Sequence, residues 1–299
     1  MTDLSAEFKA LASYRPTHKV RFVTAASLFD GHDAAINIMR RLIQAQGVEV
    51  VHLGHNRSVE DVVRAALQED ADGIALSSYQ GGHVEYFKYM VDMLKERGAS
   101  HIRVFGGGGG TITPEEIREL QAYGVERIYH PNDGMAMGLV AMIEDLVRRT
   151  VSHRVATARP ERVSKDDEIS VGKMLSALEE GLFSDGELAT LRKEWQLAGG
   201  KTPVIGLTGT GGAGKSSVTD ELLNRFLASF PDMRIAVISV DPTRRRTGGA
   251  DAGWHIKGPK VGAGRIERGW PLDADGRVPD AVAEAISALD AVGRTSPPL

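Results

Sequence analysis

Short apolar runs alternate with longer amphipathic stretches through the first half of the chain. The apolar runs predict strands, and the stretches between them carry apolar residues at helical spacing and predict helices. In order, the predicted elements are strand 20–26, helix 33–46, strand 48–53, helix 58–69, strand 73–77, helix 82–97, strand 101–105, helix 114–122, strand 125–129 and helix 133–149. Five such units predict an α/β fold with a doubly wound, five-stranded parallel sheet.

The loop after the first strand, residues 29–35, contains Asp30 and His32. With right-handed connections and a flavodoxin-like (Rossmann-like) strand order of 2-1-3-4-5, this loop would lie where the strand order reverses, which is where such sheets bind ligands. An imidazole there can coordinate a metal through one ring nitrogen while a carboxylate holds the other. His32 is therefore a candidate metal ligand. The alternative is that Asp30 caps the next helix beside a solvated histidine.

Two later loops leave the same predicted edge of the sheet, after the third and fourth strands. Their hydroxyl groups can bond the polar groups of a cofactor tail, and their glycines let backbone amides approach phosphate or ring atoms. The candidate residues are Ser77, Ser78, Gly81, Gly82, Gly106 and Gly107. The glycine run 106–110 could instead be a flexible linker, but Thr113 and Pro114 open a helix directly behind it.

The first of these loops resembles the Asp-x-His-x-x-Gly loop of cobalamin-binding domains in adenosylcobalamin-dependent mutases and methionine synthase. The resemblance implies that His32 replaces the cofactor's own benzimidazole as the axial cobalt ligand and that Asp30 is its hydrogen-bond partner. Ala35 stands where the family has glycine. Residues 77–79 match the family's Ser-x-Leu with Tyr79 in place of Leu, and Gly106-Gly107 matches its Gly-Gly. Adenosylcobalamin is thus the implied cofactor, with Gly31 also in its loop.

Four further histidines lie near predicted loop ends and could line a pocket. Solvated or core positions are favoured for each of them, because histidine is commonly half-buried. They are His52, His55, His83 and His130.

Composition restricts the class of protein. A chain of 299 residues with 42% hydrophobic and 25% charged residues is typical of a soluble protein of about two domains. No apolar run approaches the roughly 18 residues of a membrane helix, and residues 1–19 lack the apolar core of a signal peptide. The absence of cysteine excludes disulfides and thiolate sites, and a net charge of −4 argues against nucleic acid as a partner. We therefore expect a cytoplasmic protein.

A phosphate loop follows a connecting segment. Residues 151–202 read as a Pro-broken basic linker with short amphipathic helices at 169–180 and 186–197. A predicted strand, 203–208, then enters a G-x-x-x-x-G-K-[ST] motif and a helix that runs to about residue 227. Backbone N–H groups of such a loop wrap phosphates, Lys215 would neutralise the β- and γ-phosphates, and Ser216 would bind Mg²⁺. The motif residues are Gly209, Gly211, Gly212, Ala213, Gly214, Lys215, Ser216 and Ser217.

The remainder of the chain predicts an incomplete P-loop NTPase domain at 203–250. A strand at 234–240 ends in Asp241, and the residues after it resemble those in the G-protein chaperones of cobalamin mutases. No second catalytic carboxylate strand and no guanine-reading motif follow Ser216. Residues 251–299 are rich in Gly, Arg, Asp and Pro, and we expect them to be poorly ordered. Our hypothesis is a truncated or frameshifted reading of a longer gene, with an authentic divergent tail as the alternative.

A cobalamin-binding domain at 1–150, a linker and a chaperone-type phosphate loop occur in this order in the fused members of the adenosylcobalamin-dependent acyl-CoA mutase family. The resemblance implies a radical carbon-skeleton isomerisation, of the isobutyryl-CoA/n-butyryl-CoA or methylmalonyl-CoA type, with GTP and Mg²⁺ gating cofactor loading. The acyl-CoA substrate barrel is absent from this chain, so we expect the chain alone to be inactive, and it could form a homo-oligomer. The alternatives are a corrinoid carrier for methyl transfer and a nucleotide-dependent cobalamin chaperone that acts on a separate mutase.

Overall fold

The computed structural model describes residues 14–164, 167–199, 203, 205–210, 212–231, 235, 237–240 and 254–257. The chain divides into two compact units between Thr157 and Ala158. None of the described helices is long and apolar enough to cross a membrane.

The first unit is a five-stranded parallel sheet with helices on both faces. Its strands are β1 (Arg21–Ala26), β2 (Glu49–His52), β3 (Gly73–Ser77), β4 (Arg103–Gly107) and β5 (Arg127–Tyr129). Its helices are α1 (Asp33–Ala45), α2 (Val59–Gln68), α3 (His83–Glu96), α4 (Pro114–Tyr123), α5 (Pro131–Met137) and α6 (Leu139–Ser152). The strand order is β2-β1-β3-β4-β5, which confirms the predicted flavodoxin-like order and places the loop after β1 where the order reverses.

Apolar side chains on both faces of the sheet explain why these strands read as nearly continuous hydrophobic runs. On one face α1 and α6 bury Ile43 and Val147 against Phe22 and Phe105, whose ring centroids lie 6.0 Å apart. On the other face α3 buries Phe87 completely. Each of these side chains contributes roughly 1.5–3 kcal/mol through removal from water.

The predicted helix 133–149 is wrong in one respect, because the structure has two helices there. Gly138, with φ +81°, ends α5 and begins α6. A helical spacing of apolar residues continues across a single glycine, so periodicity alone did not reveal the break. The predicted cap of α4 is present: Thr113 Oγ1 accepts a hydrogen bond from the Glu116 amide at 3.3 Å, and Pro114 occupies the first helical position.

The second unit contains α7 (Glu168–Glu179), α8 (Asp185–Gly199), α9 (Lys215–Ser229) and an antiparallel pair, β6 (Val237–Val240) with β7 (Trp254–Lys257). Helices α7 and α8 confirm the two helices predicted in the linker. Met174 and Leu178 of α7 pack against Leu188 and Trp195 of α8 in a small apolar cluster.

The strand predicted at 203–208 is not formed in its described residues. Ile205 and Leu207 are exposed, at 70% and 47% of their surface. An apolar run becomes a strand only where a neighbouring strand completes its hydrogen bonds, and β6 pairs with β7 instead. Several residues that carried predictions lie outside the described part of the chain. They are Gly211, Asp241, the rest of the segment 241–250 and all of the tail 251–299 except β7.

Candidate functional site

Three loops at the carboxyl edge of the sheet are joined directly to one another. The Ser27 amide donates to the Ser77 carbonyl at 2.9 Å, and the Ser78 amide donates to the Gly107 carbonyl at 2.8 Å. The Ser27 hydroxyl also donates to the Ser78 Oγ at 2.9 Å. The loops that follow β1, β3 and β4 therefore form one surface, as the predicted strand order requires.

The Asp30 carboxylate is fully buried and receives three hydrogen bonds. Its Oδ1 accepts from His32 Nδ1 at 2.8 Å and from the His32 amide at 2.9 Å, and its Oδ2 accepts from the Tyr79 amide at 2.7 Å. Helix α1 begins after His32 and has no side-chain cap. The carboxylate therefore holds the histidine ring and does not cap the helix.

Ionisation of Asp30 determines which nitrogen of His32 is free. Burial opposes the charged form, but the hydrogen bonds from the Tyr79 amide and from His32 outweigh it, so the pKa of Asp30 lies below its ordinary value. An ionised carboxylate only accepts hydrogen bonds, so Nδ1 must carry a proton, and in the neutral ring Nε2 then carries the lone pair. The His32 side chain is 63% exposed. Nε2 is thus available to a metal.

The β2–α2 loop is hydrogen-bonded to the loop that carries Asp30 and His32. Phe29 and Asn56 both have positive φ, at 64° and 55°, which is uncommon for residues other than glycine. The Phe29 amide donates to Asn56 Oδ1 at 2.8 Å, and the Asn56 amide donates to the Asp30 carbonyl at 3.3 Å. These bonds tie the histidine loop to the β2–α2 loop at two residues with uncommon backbone conformations.

The glycine run that ends β4 and continues beyond it is closely packed as far as Gly109, so the flexible-linker alternative is wrong. A Cβ at Gly106 would lie 2.3 Å from the Phe87 ring, and one at Gly108 would lie 2.1 Å from the Ser78 carbonyl oxygen. Gly107 is less crowded, with 3.3 Å to the Tyr129 carbonyl oxygen. By contrast, a Cβ at Gly31, Gly81 or Gly82 would meet nothing within 4 Å, although Gly82 needs its φ of +81° to begin α3.

A cavity of about 400 Å³ lies between the sheet and the two helices α1 and α6, within the size range of small-molecule sites. Most of its wall is apolar, with Met39, Ile43, Met142 and Ile143 from the helices. Ala35, Ser77, Gly106 and Gly107 line it as well. The Ser77 hydroxyl is buried and has no hydrogen-bond partner within the described part of the chain. An apolar cavity with an unpaired hydroxyl suits a largely aromatic ligand that carries polar groups.

Tyr79 links the cavity to the histidine loop. Its ring lines the cavity, its centroid lies 5.4 Å from the centroid of the His32 ring, and its amide holds Asp30. The other predicted loop residues are placed differently: Ser78 is buried against Ser27, and Gly31, Gly81 and Gly82 do not line the cavity.

Sequence reasoning missed several cavity residues. The helical ones sit at ordinary core spacing and give no signal of a ligand. His130, which follows β5 directly, lines the cavity although a solvated or core position was favoured for it. Its position at the carboxyl end of a parallel strand was the available signal.

The phosphate-loop residues of the second unit keep their motif geometry in part. Gly214, with φ +79°, leads into α9, and Lys215 Nζ donates to the carbonyls of Gly209 and Thr210 at 2.8 Å each. Ser216 and Ser217 are exposed in the first turn of α9, and Gly212 and Ala213 precede it. Apolar Val218, Leu222 and Phe226 are also exposed along this helix, at 50%, 36% and 38%.

Comparison with known families covers both units. Residues 20–140 match the B12 binding domain family, and residues 179–293 match the Methylmalonyl Co-A mutase-associated GTPase MeaB family. The fold and the matches define the class: a B12-binding domain of flavodoxin-like fold followed by a MeaB-type GTPase segment. The second match includes α8 and most of the segment from 251 onward that we set apart as divergent. The boundaries of our domain division stay a prediction.

Relatives narrow the class further. The chain is 57% identical over 267 residues to the fused isobutyryl-CoA mutase of Cupriavidus metallidurans, covering 86% of this chain and 24% of that protein. It is 50% identical over 291 residues to the fused isobutyryl-CoA mutase of Geobacillus kaustophilus, covering 94% and 27%. It is also 33% identical over 116 residues to the pivalyl-CoA mutase small subunit of Xanthobacter autotrophicus, covering 38% and 76%. The chain belongs to the adenosylcobalamin-dependent acyl-CoA mutase family, with fused isobutyryl-CoA mutases among its relatives, and spans about a quarter of their length.

Proposed function

We propose that the first unit binds adenosylcobalamin and that Nε2 of His32 is the axial ligand of the cobalt. The observation that carries this proposal is the buried carboxylate of Asp30, which holds Nδ1 at 2.8 Å while the rest of the ring is exposed. The described residues contain no cluster of three or more His, Cys, Asp or Glu that could hold a metal ion. A corrin ring supplies the other ligands of its cobalt, so a single protein nitrogen suffices for the proposed site.

The cavity beside the histidine fits the tail of this cofactor. If His32 takes the place of the benzimidazole on the cobalt, the benzimidazole tail would need an apolar site with a few polar contacts. Ser77 supplies an unpaired hydroxyl, and Gly107 allows the backbone of β4 to approach a ring closely. Gly106 lines the cavity through its backbone, since a Cβ there would meet the Phe87 ring on the opposite face of the sheet. Ala35, which stands where cobalamin-binding domains have glycine, lines the same cavity. Its side chain is a single methyl group, the smallest that can replace glycine there.

The bound cofactor supplies a cobalt–carbon bond whose homolysis starts a 1,2 carbon-skeleton rearrangement. We assign to Asp30 the tasks of fixing the tautomer of His32 and holding its ring. The Tyr79 amide keeps that carboxylate in place. The proposed reaction interconverts isobutyryl-CoA and n-butyryl-CoA, or proceeds on a substrate of the methylmalonyl-CoA type, on an acyl-CoA barrel that this chain must meet in a partner or a further domain.

We assign GTP with Mg²⁺ to the phosphate loop, with Lys215 on the β- and γ-phosphates and Ser216 on the metal. Lys215 now donates to two loop carbonyls, so it must leave them to reach a phosphate. GTP turnover in the complete assembly would gate loading of the cobalamin. A corrinoid carrier for methyl transfer has no use for such a loop, which is why we favour the mutase.

The experiment is a titration of the purified chain with adenosylcobalamin, followed by visible absorbance, beside His32→Ala. We expect saturable binding with a spectrum of displaced benzimidazole, and loss of the histidine-ligated spectrum in the variant. Electron paramagnetic resonance of the chain with cob(II)alamin adds a direct test, because ¹⁵N-labelled histidine changes the nitrogen splitting only if an imidazole nitrogen is the ligand.

His153→Ala is the matched control, since His153 is exposed and lies at the carboxyl end of α6. Its spectra should equal those of the unaltered chain. Identical spectra from His32→Ala and the unaltered chain would refute the ligand assignment.

A further inference from the structure

His130 has one ring nitrogen committed to the local fold. It caps α5: its Nδ1 accepts a hydrogen bond from the Asn132 amide at 3.2 Å, and its own amide donates to Asp133 Oδ2 at 2.8 Å. A ring nitrogen can accept a hydrogen bond only if it carries a lone pair and no proton. The neutral ring must therefore carry its proton on Nε2.

The Nε2–H of His130 is a donor without a partner among the residues that the structure describes. The other tautomer would leave Nδ1 protonated against the Asn132 amide and break the cap. The cap thus fixes the ring as a hydrogen-bond donor at Nε2. His130 lines the cavity, where a bound molecule can meet it.

Few other side chains of the cavity offer a polar atom. Ser77 has its unpaired hydroxyl, and the Tyr79 hydroxyl has no hydrogen-bond partner among the described residues either, whereas the Tyr129 hydroxyl already donates to Asp145 Oδ2 at 2.9 Å. The strand register aligns Ser77 with Gly107 and Gly107 with Tyr129, so Ser77 and Tyr129 are two strands apart. Two strand spacings are about 10 Å. Ser77 and His130, the residue after Tyr129, therefore lie at opposite sides of the cavity.

We propose that His130 donates a hydrogen bond from Nε2 to an acceptor on the nucleotide tail of cobalamin, opposite the contact made by Ser77. This inference rests on the proposed function, because it names a residue for the same cofactor. The tail carries suitable acceptors: the benzimidazole nitrogen that leaves the cobalt, the ribose oxygens and the phosphate. His130 is then a positioning residue that aligns the tail in a site whose wall is mostly apolar.

The test compares two ligands and two variants. Hydroxocobalamin carries the nucleotide tail, and cobinamide is the same corrin without it. His130→Asn keeps a side-chain oxygen that can cap α5, but its shorter amide group does not reach the position of the imidazole Nε2. His130→Ala loses both the cap and the donor. Dissociation constants come from absorbance titrations, and thermal unfolding reports the cap.

We expect His130→Asn to bind hydroxocobalamin roughly three- to tenfold more weakly than the unaltered chain, the usual effect of one lost hydrogen bond. Its affinity for cobinamide and its melting temperature should be unchanged. His130→Ala should show the same loss for hydroxocobalamin and a lower melting temperature. General damage to the fold would weaken the binding of both ligands alike. The ratio of the two dissociation constants within each variant therefore reports only the effect on the nucleotide tail.

Two results would overturn the inference, and they are distinguishable. If the unaltered chain binds neither ligand, the proposed function fails and the contact fails with it. If the unaltered chain binds both but the ratio of dissociation constants is the same in His130→Asn, the proposed function stands and His130 serves only as a cap.

Discussion

Asp30 is the side chain on which the candidate site depends. Both of its oxygens accept hydrogen bonds, and all the donors are N–H groups: the ring and amide of His32 and the amide of Tyr79. An amide side chain cannot replace it, because one of the two oxygens would become an NH₂ group facing an N–H. The sequence identified the pair Asp30–His32, but the third donor comes from a loop 49 residues away and required the fold.

Asp30→Asn should weaken cobalamin binding about 10- to 100-fold, the usual effect of removing the partner of a metal-bound histidine. It should also lower the free energy of unfolding by roughly 1–3 kcal/mol at neutral pH, because a buried donor loses its acceptor. Absorbance titration and urea unfolding measure the two effects. Asp92→Asn is a control, since Asp92 bonds an exposed tyrosine elsewhere in the unit.

The stability effect at Asp30 should depend on pH in a defined direction. The pKa of Asp30 is lowered in the folded state, so the unfolded chain binds its proton more readily. Its contribution is complete well above the unfolded pKa of about 4 and is lost as the pH falls through the lower folded value. The difference in unfolding free energy between the unaltered chain and Asp30→Asn should therefore shrink below about pH 4, and a constant difference would contradict the assignment.

Among the elements, the loop after β4 contains glycines that both line the cavity and pack against a neighbouring loop. The glycines that approach the cavity also pass against the neighbouring loop after β3, which leaves no room for a side chain at Gly108. The sequence showed the glycine run and its position after a strand. It did not distinguish crowded glycines from open ones, because that depends on the residues brought opposite them.

Gly108→Ala should lower the free energy of unfolding by roughly 1–3 kcal/mol, as overpacking does, because its Cβ would lie 2.1 Å from the rigid Ser78 carbonyl. The shift of that carbonyl should also weaken cobalamin binding. Gly110→Ala is the matched control, since a Cβ there meets nothing within 4 Å, and it should change stability by less than about 0.5 kcal/mol. Urea unfolding of both variants measures these free energies. Equal losses of unfolding free energy in the two variants would contradict the packing argument.

For the whole molecule, the two candidate sites fall in separate units of the chain. Removing the charge of Lys215 should therefore weaken nucleotide binding and leave cobalamin binding unchanged. Lys215→Ala should reduce binding of a fluorescent GTP analogue at least about tenfold, because it loses the point charge on the phosphates. Its dissociation constant for cobalamin should equal that of the unaltered chain.

Two controls make this separation testable. Lys193→Ala, an exposed lysine of α8, should bind both ligands normally. His32→Ala should lose the histidine-ligated spectrum and keep the affinity for nucleotide. A change in cobalamin affinity in Lys215→Ala would show that the sites are coupled within this chain.

The sequence alone determined the alternation of strands and helices, the parallel sheet and its order, the two site motifs and the acyl-CoA mutase resemblance. These features are local: they depend on periodicity, caps and short motifs, which a chain carries wherever it lies in space. The tertiary structure decided the break at Gly138, the absence of a strand at 205–208, the third donor to Asp30, the crowding at Gly108 and the cavity wall with His130. Each of these depends on which residues from distant segments come into contact, because burial, hydrogen-bond pairing and strand partners are properties of the assembled fold.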